Sequence, residues 1–231
     1  MRSLEERIEQ FAQLMSEAKY LVVFTGAGIS TESGLSDFRG PDGVWTRQAK
    51  GLPPKSRPFS SAEPNAGHLA LVQLQKLGKL RFLISQNVDN LHLTSGIRPD
   101  LLAELHGNIA KLRCQRCQVQ VDTSQGIDVC SCGGRLVSSV VNFGDPLPQK
   151  ELQNSFWHAE QCDLFMVVGS SLVVSPANEM PRVGVESGAR LVIINKGETP
   201  LDNLCHLRFD EKSGDVLPPA VERLKKLTKS S

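Results

Sequence analysis

Two pairs of cysteines, Cys114-x-x-Cys117 and Cys130-x-Cys132, constrain this chain more than any other feature. Each pair spans a tight turn and the segment between the pairs folds back, so four thiolates can close a tetrahedral Zn²⁺ site. Four protein ligands leave no open position, so such a zinc holds structure and does no chemistry. Gly133 and Gly134 follow the last cysteine and polar residues surround both pairs, as in a zinc ribbon. Two unrelated buried pairs would not have those surroundings. Residues 108–140 hold the quartet and little core-forming sequence, the pattern of a metal-stapled insertion. Cys162 and Cys205 lie singly among apolar residues, which suits a reducing compartment better than a set of disulfides.

Outside the insertion, short apolar runs end in small or amide residues: Leu21 to Phe24, Arg81 to Ser85, Leu164 to Val168 and Leu191 to Ile194. Continuous runs of this length read as strands buried on both faces of a parallel sheet. Ser3 and Glu6 form a capping box, and Leu4, Ile8, Phe11 and Met15 recur at helical spacing, which predicts a helix over 3–18 covering one edge of the sheet. Pro64 opens a second helix through Leu69, Val72, Leu74 and Leu77, with Gly78 as its stop; 149–161 and 216–227 show weaker helical spacing. The alternation implies an α/β fold, a doubly wound, Rossmann-like parallel sheet carrying a smaller inserted zinc-binding lobe. Residues 1–35, 61–107 and 141–231 then make the Rossmann-like domain and 108–140 the zinc-ribbon lobe. Residues 36–60, rich in Pro, Gly, Ser and charge, are too long for an ordinary connection and read as a mobile functional loop.

With 26 basic and 25 acidic side chains the net charge is +1, so no overall field draws the chain to nucleic acid or an anionic membrane. No apolar run reaches the length of a membrane span, and MRSLEERIEQ carries no secretory core. A cytoplasmic protein is expected.

Several motifs sit at strand ends, where open α/β sheets bind ligands. Phe24-Thr25-Gly26-Ala27-Gly28-Ile29-Ser30 is a glycine turn that can bring backbone N–H groups to a pyrophosphate, or merely a tight strand-to-loop connection. A hydride-transferring enzyme would place a third glycine at Thr31 and then a helix; here the chain runs into Asp37-Phe38-Arg39-Gly40, which reads as loop. Ser85-Gln86-Asn87-Val88-Asp89 can grip an amide or a hydroxyl, or cap the next turn. Glu104-Leu105-His106-Gly107-Asn108 offers a histidine at the border of the insertion, a candidate general base because imidazole titrates near neutrality. Most of the other histidines should be structural. Gly169-Ser170-Ser171 and Asn195 end two further strands, and Val140 to Pro148 could be an exposed strand edge open to an extended peptide.

Taken in order, GAGIST, SGLSDFRGPDGVW, SQNVDNLH, ELHGN, the cysteine quartet, VNFGDPLP, VVGSSLVVSPA and LVIIN resemble the sirtuins, the NAD-dependent protein-lysine deacylases, over nearly the whole chain. DFRGPDGVW looks closest to the branch containing the nuclear mammalian members. The resemblance implies NAD and an acyl-lysine protein or peptide entering a cleft between the two lobes from opposite sides. It implies His106 as catalytic base, with Asn87 and Asp89 at the nicotinamide. Cofactor contacts are implied for Gly26, Ala27, Gly28, Ile29, Asp37, Phe38, Arg39, Gln86, Gly169, Ser170 and Asn195. Val141 and Phe143 match the acyl-lysine tunnel, and the backbone of Val141, Asn142, Phe143 and Gly144 is expected to pair with substrate as a strand. In the implied reaction the acyl oxygen attacks C1′, nicotinamide leaves, and His106 helps the 2′-hydroxyl attack, giving free lysine and an O-acyl-ADP-ribose.

This sequence departs from the family pattern in places. Leu35-Ser36-Asp37 replaces Ile-Pro-Asp, Asn90 stands where glycine is frequent, Asp145 where glutamate is usual, and Asn142 where a bulky apolar residue is common. The Tyr-x-x-Arg pair that holds acidic acyl groups is missing, which disfavours a desuccinylase, although Arg47 or Arg57 could act alone. Two other functions fit the same motifs: mono-ADP-ribosyl transfer to protein, and a non-catalytic NAD-sensing zinc-ribbon module.

Overall fold

The structure, a computed structural model, describes residues 2–229. The first half contains α1 (Leu4–Glu17), β1 (Leu21–Thr25), α2 (Val44–Ala49), α3 (Ala66–Lys76), β2 (Leu80–Ser85), α4 (Leu91–Ser95) and β3 (Leu102–Glu104). There follow β4 (Lys111–Cys114), β5 (Gln120–Asp122), β6 (Leu136–Ser138), α5 (Gln149–Gln161), β7 (Leu164–Val168), α6 (Glu179–Glu186), β8 (Arg190–Ile194), β9 (Leu207–Phe209) and α7 (Ser213–Lys229). Six strands pair in parallel in the order β3-β2-β1-β7-β8-β9, while β5-β4-β6 make a small antiparallel sheet.

The four strands expected from apolar runs are β1, β2, β7 and β8. Their side chains point alternately to two cores. Leu21, Val23, Met166 and Val192 pack under α1, α3 and α7, while Val22, Phe24, Phe165 and Leu191 pack under α5 and α6. A strand covered on both faces gains from an apolar residue at every position, so its sequence shows a run and no alternation. Between β1 and β7 the winding reverses, and the loops leaving those two carboxyl ends diverge into a crevice.

Some expectations shift. Helix α1 is capped by the Ser3–Glu6 box as expected, but it lies on a sheet face with Phe11 against Phe209 (ring centroids 5.8 Å), not along an edge. Helix α3 starts at Ala66, because Asn65 and not Pro64 is its cap. The Asn65 Oδ1 accepts from the amides of Gly67 and His68 at 2.9 and 3.3 Å. Its Nδ2 donates to the Ile29 carbonyl at 2.7 Å, so the cap also braces the loop after β1. Helix α7 begins at Ser213, three residues earlier than expected, where Glu32 accepts from Ser213 Oγ and Gly214 N at 3.0 and 2.9 Å. The expected loop over 36–60 contains the six-residue α2. Among the described residues no helix is long and apolar enough to cross a membrane. In the inserted lobe the buried hydrophobic cluster is Cys114, Cys130 and Leu136, too small an apolar core to hold β4, β5 and β6 without a staple.

Candidate active site

The glycine turn after β1 packs against the loop after β7, backbone on backbone. Gly26 N–H donates to the Val168 carbonyl at 3.0 Å and Gly28 N–H to the Gly169 carbonyl at 2.8 Å. A Cβ on Gly28 would lie 2.6 Å from Gly169 Cα, and one on Gly26 would lie 2.8 Å from the Gly169 oxygen. These glycines are therefore required by loop crossing, and their own amides are spent there. Residues 27–33 form a 3₁₀ turn that ends at Gly34 with φ +83°. Ile29, expected at the cofactor, is fully buried in the core and does not line the crevice.

Polar groups converge at the floor. Asn87 and Asp89, at the end of β2, are 8% and 7% exposed. Ser30 joins them: its hydroxyl donates to Asp89 Oδ2 at 2.6 Å and accepts from Asn87 Nδ2 at 3.1 Å. Sequence reasoning did not assign Ser30; its one signal was its place directly after the glycine turn. Ser170 Oγ donates to Gln86 Oε1 at 2.9 Å, joining the ends of β7 and β2. Behind the floor, His92 Nε2 lies 2.8 Å from Thr25 Oγ1 with its ring 5.1 Å from that of His68. Burial holds both imidazoles neutral, pushing His68 down to about 4 and His92 well below its ordinary value.

His106 follows β3. Its Nδ1 lies 2.9 Å from the Gln86 carbonyl oxygen. A carbonyl can only accept, so Nδ1 carries a proton, which leaves Nε2 as the nitrogen that can act as a base in the neutral ring. His106, Asn87 and Asp89 share one cleft of about 1030 Å³, and apart from Ile29 every expected cofactor and substrate residue lines it.

The cleft walls come from the 36–60 segment and the strand leaving the small lobe. Asp37 Oδ1 accepts from Gly40 N at 3.0 Å, tightening the turn that carries Phe38 and Arg39. Phe38, Trp45 and Phe143 form an aromatic cluster with centroids 5.2 to 6.4 Å apart, and the Arg39 guanidinium lies 4.3 Å over Trp45. Trp45 closes the DFRGPDGVW motif. Val141 N–H donates to the His106 carbonyl at 2.9 Å. Residues 142–145 form a turn closed by Asp145 N to the Asn142 oxygen at 3.1 Å, so the expected strand edge is a turn here, with Phe143 73% exposed. At the far end Asn195 Nδ2 donates to the carbonyls of Lys196 and Gly197 at 3.0 and 3.1 Å, shaping a loop in which Lys196 and Glu198, unassigned before, also line the cleft.

In the small lobe, Cys114, Cys117, Cys130 and Cys132 gather with all four sulfurs within 4.8 Å of one another. Cys114 to Cys132 is 3.5 Å and Cys117 to Cys130 3.6 Å. Tetrahedral ligation with Zn–S bonds of about 2.3 Å places sulfurs about 3.8 Å apart, so the set fits zinc with little rearrangement. The amides of Arg116 and Cys117 point at Cys114 Sγ at 3.4 and 3.5 Å, donors that favour the thiolate a metal requires.

Known proteins share this arrangement. A model described as the Sir2 family matches residues 54–176. The rice protein "NAD-dependent protein deacetylase SRT1" (Oryza sativa subsp. indica) is 44% identical over 218 residues, covering 88% of this chain and 45% of its own length. The chain thus spans about half of that relative. "NAD-dependent protein deacylase 2" of Archaeoglobus fulgidus is 38% identical, with 97% of this chain and 98% of the archaeal protein covered. A solved structure described as Sir2Af2 bound to a myristoylated histone peptide superposes with a TM-score of 0.75 at 37% identity, covering 98% of this chain and 100% of that one. With both loops of the sheet crevice, the histidine and the cysteine quartet in place, the chain belongs to the Sir2 family.

Proposed function

We propose that this chain is an NAD-dependent protein-lysine deacylase that releases nicotinamide, free lysine and an O-acyl-ADP-ribose. The observation that carries the reading is the hydrogen bond of His106: with Nδ1–H donated to Gln86, Nε2 is left as the proton-accepting nitrogen of the neutral ring, on the same cleft as Asn87, Asp89 and Ser30. Related proteins are named for NAD-dependent deacetylation or deacylation, and a similar solved structure holds an acylated histone peptide.

NAD held at the strand ends would supply a ribose C1′ from which the oxygen of an acyl-lysine amide can displace nicotinamide. The Asp89 carboxylate and the Asn87 carboxamide, fixed by Ser30, offer complementary acceptors and donors for a nicotinamide carboxamide. His106 Nε2 would take the proton of the ribose 2′-hydroxyl as that oxygen attacks the acyl carbon; the acyl C–N bond then breaks with a proton leaving on the lysine amine, one water completes the O-acyl-ADP-ribose, and the Gln86 carbonyl would steady the imidazolium through Nδ1. Phe38, Trp45 and Phe143 wall this region with apolar surface, which disfavours water as a competing nucleophile. Neutral acyl groups suit the cleft best. Tyr20 is bonded to His158 away from it, and neither Arg47 nor Arg57 lines it.

Incubation with NAD and acyl-lysine peptides of different chain length tests the reading. Release of deacylated peptide should require both substrates and fall about 10²- to 10⁴-fold in His106→Ala, the range for losing a general base. Release no higher than in that variant, on every acyl chain, rejects it; label from NAD retained on protein would mean ADP-ribosyl transfer instead. The reading also includes a reducing, cytoplasmic setting, because the zinc thiolates must stay unoxidised; cell fractionation finding the chain only in an oxidising compartment would refute that part.

A further inference from the structure

We propose that Asn108 is a positioning residue whose carboxamide clamps the turn carrying His106 and ties it to the loop carrying Asn87 and Asp89. The inference deepens the deacylase reading and rests on it for its kinetic form.

Asn108 has no solvent exposure. Its Nδ2 donates to Glu104 Oε1 at 2.5 Å and to Asn90 Oδ1 at 2.7 Å, while its Oδ1 accepts from Ala110 N at 2.8 Å. Its backbone N–H donates to Ser139 Oγ at 3.0 Å, and that hydroxyl donates back to the Asn108 carbonyl at 2.8 Å. Glu104 and Asn108 stand two residues before and two residues after His106, so the bond between their side chains closes a ring around the base. Inside that ring Gly107 N–H donates to the Glu104 carbonyl at 3.0 Å, and Gly107 has φ +75° and no room for a side chain, since a Cβ there would lie 2.0 Å from the Ser139 oxygen. These contacts restrain the turn that carries the base.

Two more side chains complete the clamp. Lys111 Nζ lies 2.8 Å from Glu104 Oε2, matching a carboxylate whose side chain is only 10% exposed. Lys111 belongs to β4 and Glu104 to β3, so this ion pair joins the lobes at the segment that carries the base. Asn90 has φ +67°, a left-handed conformation that asparagine and glycine tolerate, and it is the residue after Asp89. Through it, one buried carboxamide couples the base to the residues that face nicotinamide.

The two halves of the reaction use these groups differently. Displacement of nicotinamide needs Asn87 and Asp89 but no base; attack by the 2′-hydroxyl needs His106. Loosening the clamp at its Glu104 side should therefore slow the second half more than the first. Exchange of labelled nicotinamide into NAD reads the first half, and peptide deacylation reads the second. We expect the ratio of deacylation to exchange to fall about tenfold or more in Asn108→Ala, because sub-ångström errors in a base's placement carry penalties of that order. Lys111→Met should fall in the same direction by less, Lys111→Arg should restore the ratio, and these two surface-edge variants keep the test alive if Asn108→Ala does not fold. Equal loss of both rates in Lys111→Met, at unchanged melting temperature and zinc content, overturns the proposal.

A second readout needs no activity. In ¹⁵N-imidazole NMR the intact chain should show His106 as the Nδ1–H tautomer, and Lys111→Met or Asn108→Ala should average its two nitrogens. A tautomer unchanged in both variants sinks the clamp even if the enzyme works. Absence of exchange and deacylation in the intact chain, with the variants still averaging the ring, sinks the deacylase reading and leaves the clamp standing.

Discussion

Single side chains here owe their chemistry to the one partner each is given. His106 is a base because a carbonyl occupies its other nitrogen, and Asp89 is aimed because Ser30 donates to it. Gly28 is the sharpest test of this scale. In Gly28→Ala the new Cβ must push on the backbone of Gly169, 2.6 Å away, and not on a flexible side chain. Overpacking of that kind costs about 1 to 3 kcal/mol, so the urea midpoint should drop and nicotinamide release with it; an unchanged midpoint would show that the two loops can part freely. A second residue-scale prediction concerns pH. Burial lowers His68 and His158 to about 4, and lowers His92 as well, against an ordinary value of 6.5. The fold keeps these rings neutral while the unfolded chain protonates them, so their contribution is full above about pH 6.5 and is lost as pH falls toward about 4. Urea midpoints measured from pH 7 down to 4.5 should fall throughout that window. His158→Phe, which keeps an aromatic ring stacked on Phe82, should make the slope shallower.

Elements depend on caps and staples more than on propensity. The small lobe has three buried apolar side chains and four sulfurs set for one ion, so its strands should exist only with the metal. Cys117→Ser, or chelation, should remove about one equivalent of zinc by elemental analysis and expose the lobe's amides to fast hydrogen exchange while β1, β2, β7 and β8 stay protected. Uniform loss of protection across both sheets would contradict this independence. Helix α3 makes a parallel case in the large domain. Asn65 caps it and also holds the Ile29 carbonyl, so Asn65→Ala should cost about 1 to 2 kcal/mol by thermal melting, near the upper end for a lost cap.

At the scale of the molecule, the cleft is made by elements that meet only in the folded state. Adenosine diphosphate ribose should bind it and shift the folding equilibrium: at about 100 times its Kd the gain is about 2.7 kcal/mol, or roughly 5 to 10 °C in melting temperature for a chain of this size. His106→Ala should keep that shift, since the base is not needed to hold the ligand, whereas Gly28→Ala should reduce it. A shift abolished in His106→Ala would assign that ring to binding instead of catalysis.

What could be read in advance was whatever is encoded locally. Runs of four or five apolar residues identified the central strands because both their faces are covered, and the cysteine spacing identified the metal lobe because a four-ligand site needs that geometry. The order of the motifs placed nearly every cleft residue. Strands β3 and β9 escaped notice because three residues cannot show a period. The remainder was decided by tertiary structure. Ser170 meets Gln86 across 84 residues, Ser30 meets Asp89 across 59, and Gly28 spends its amide on Gly169. A sequence states which groups can donate or accept; only the packed chain determines which donor each acceptor receives, and that assignment makes His106 a base and buries Ile29 out of reach.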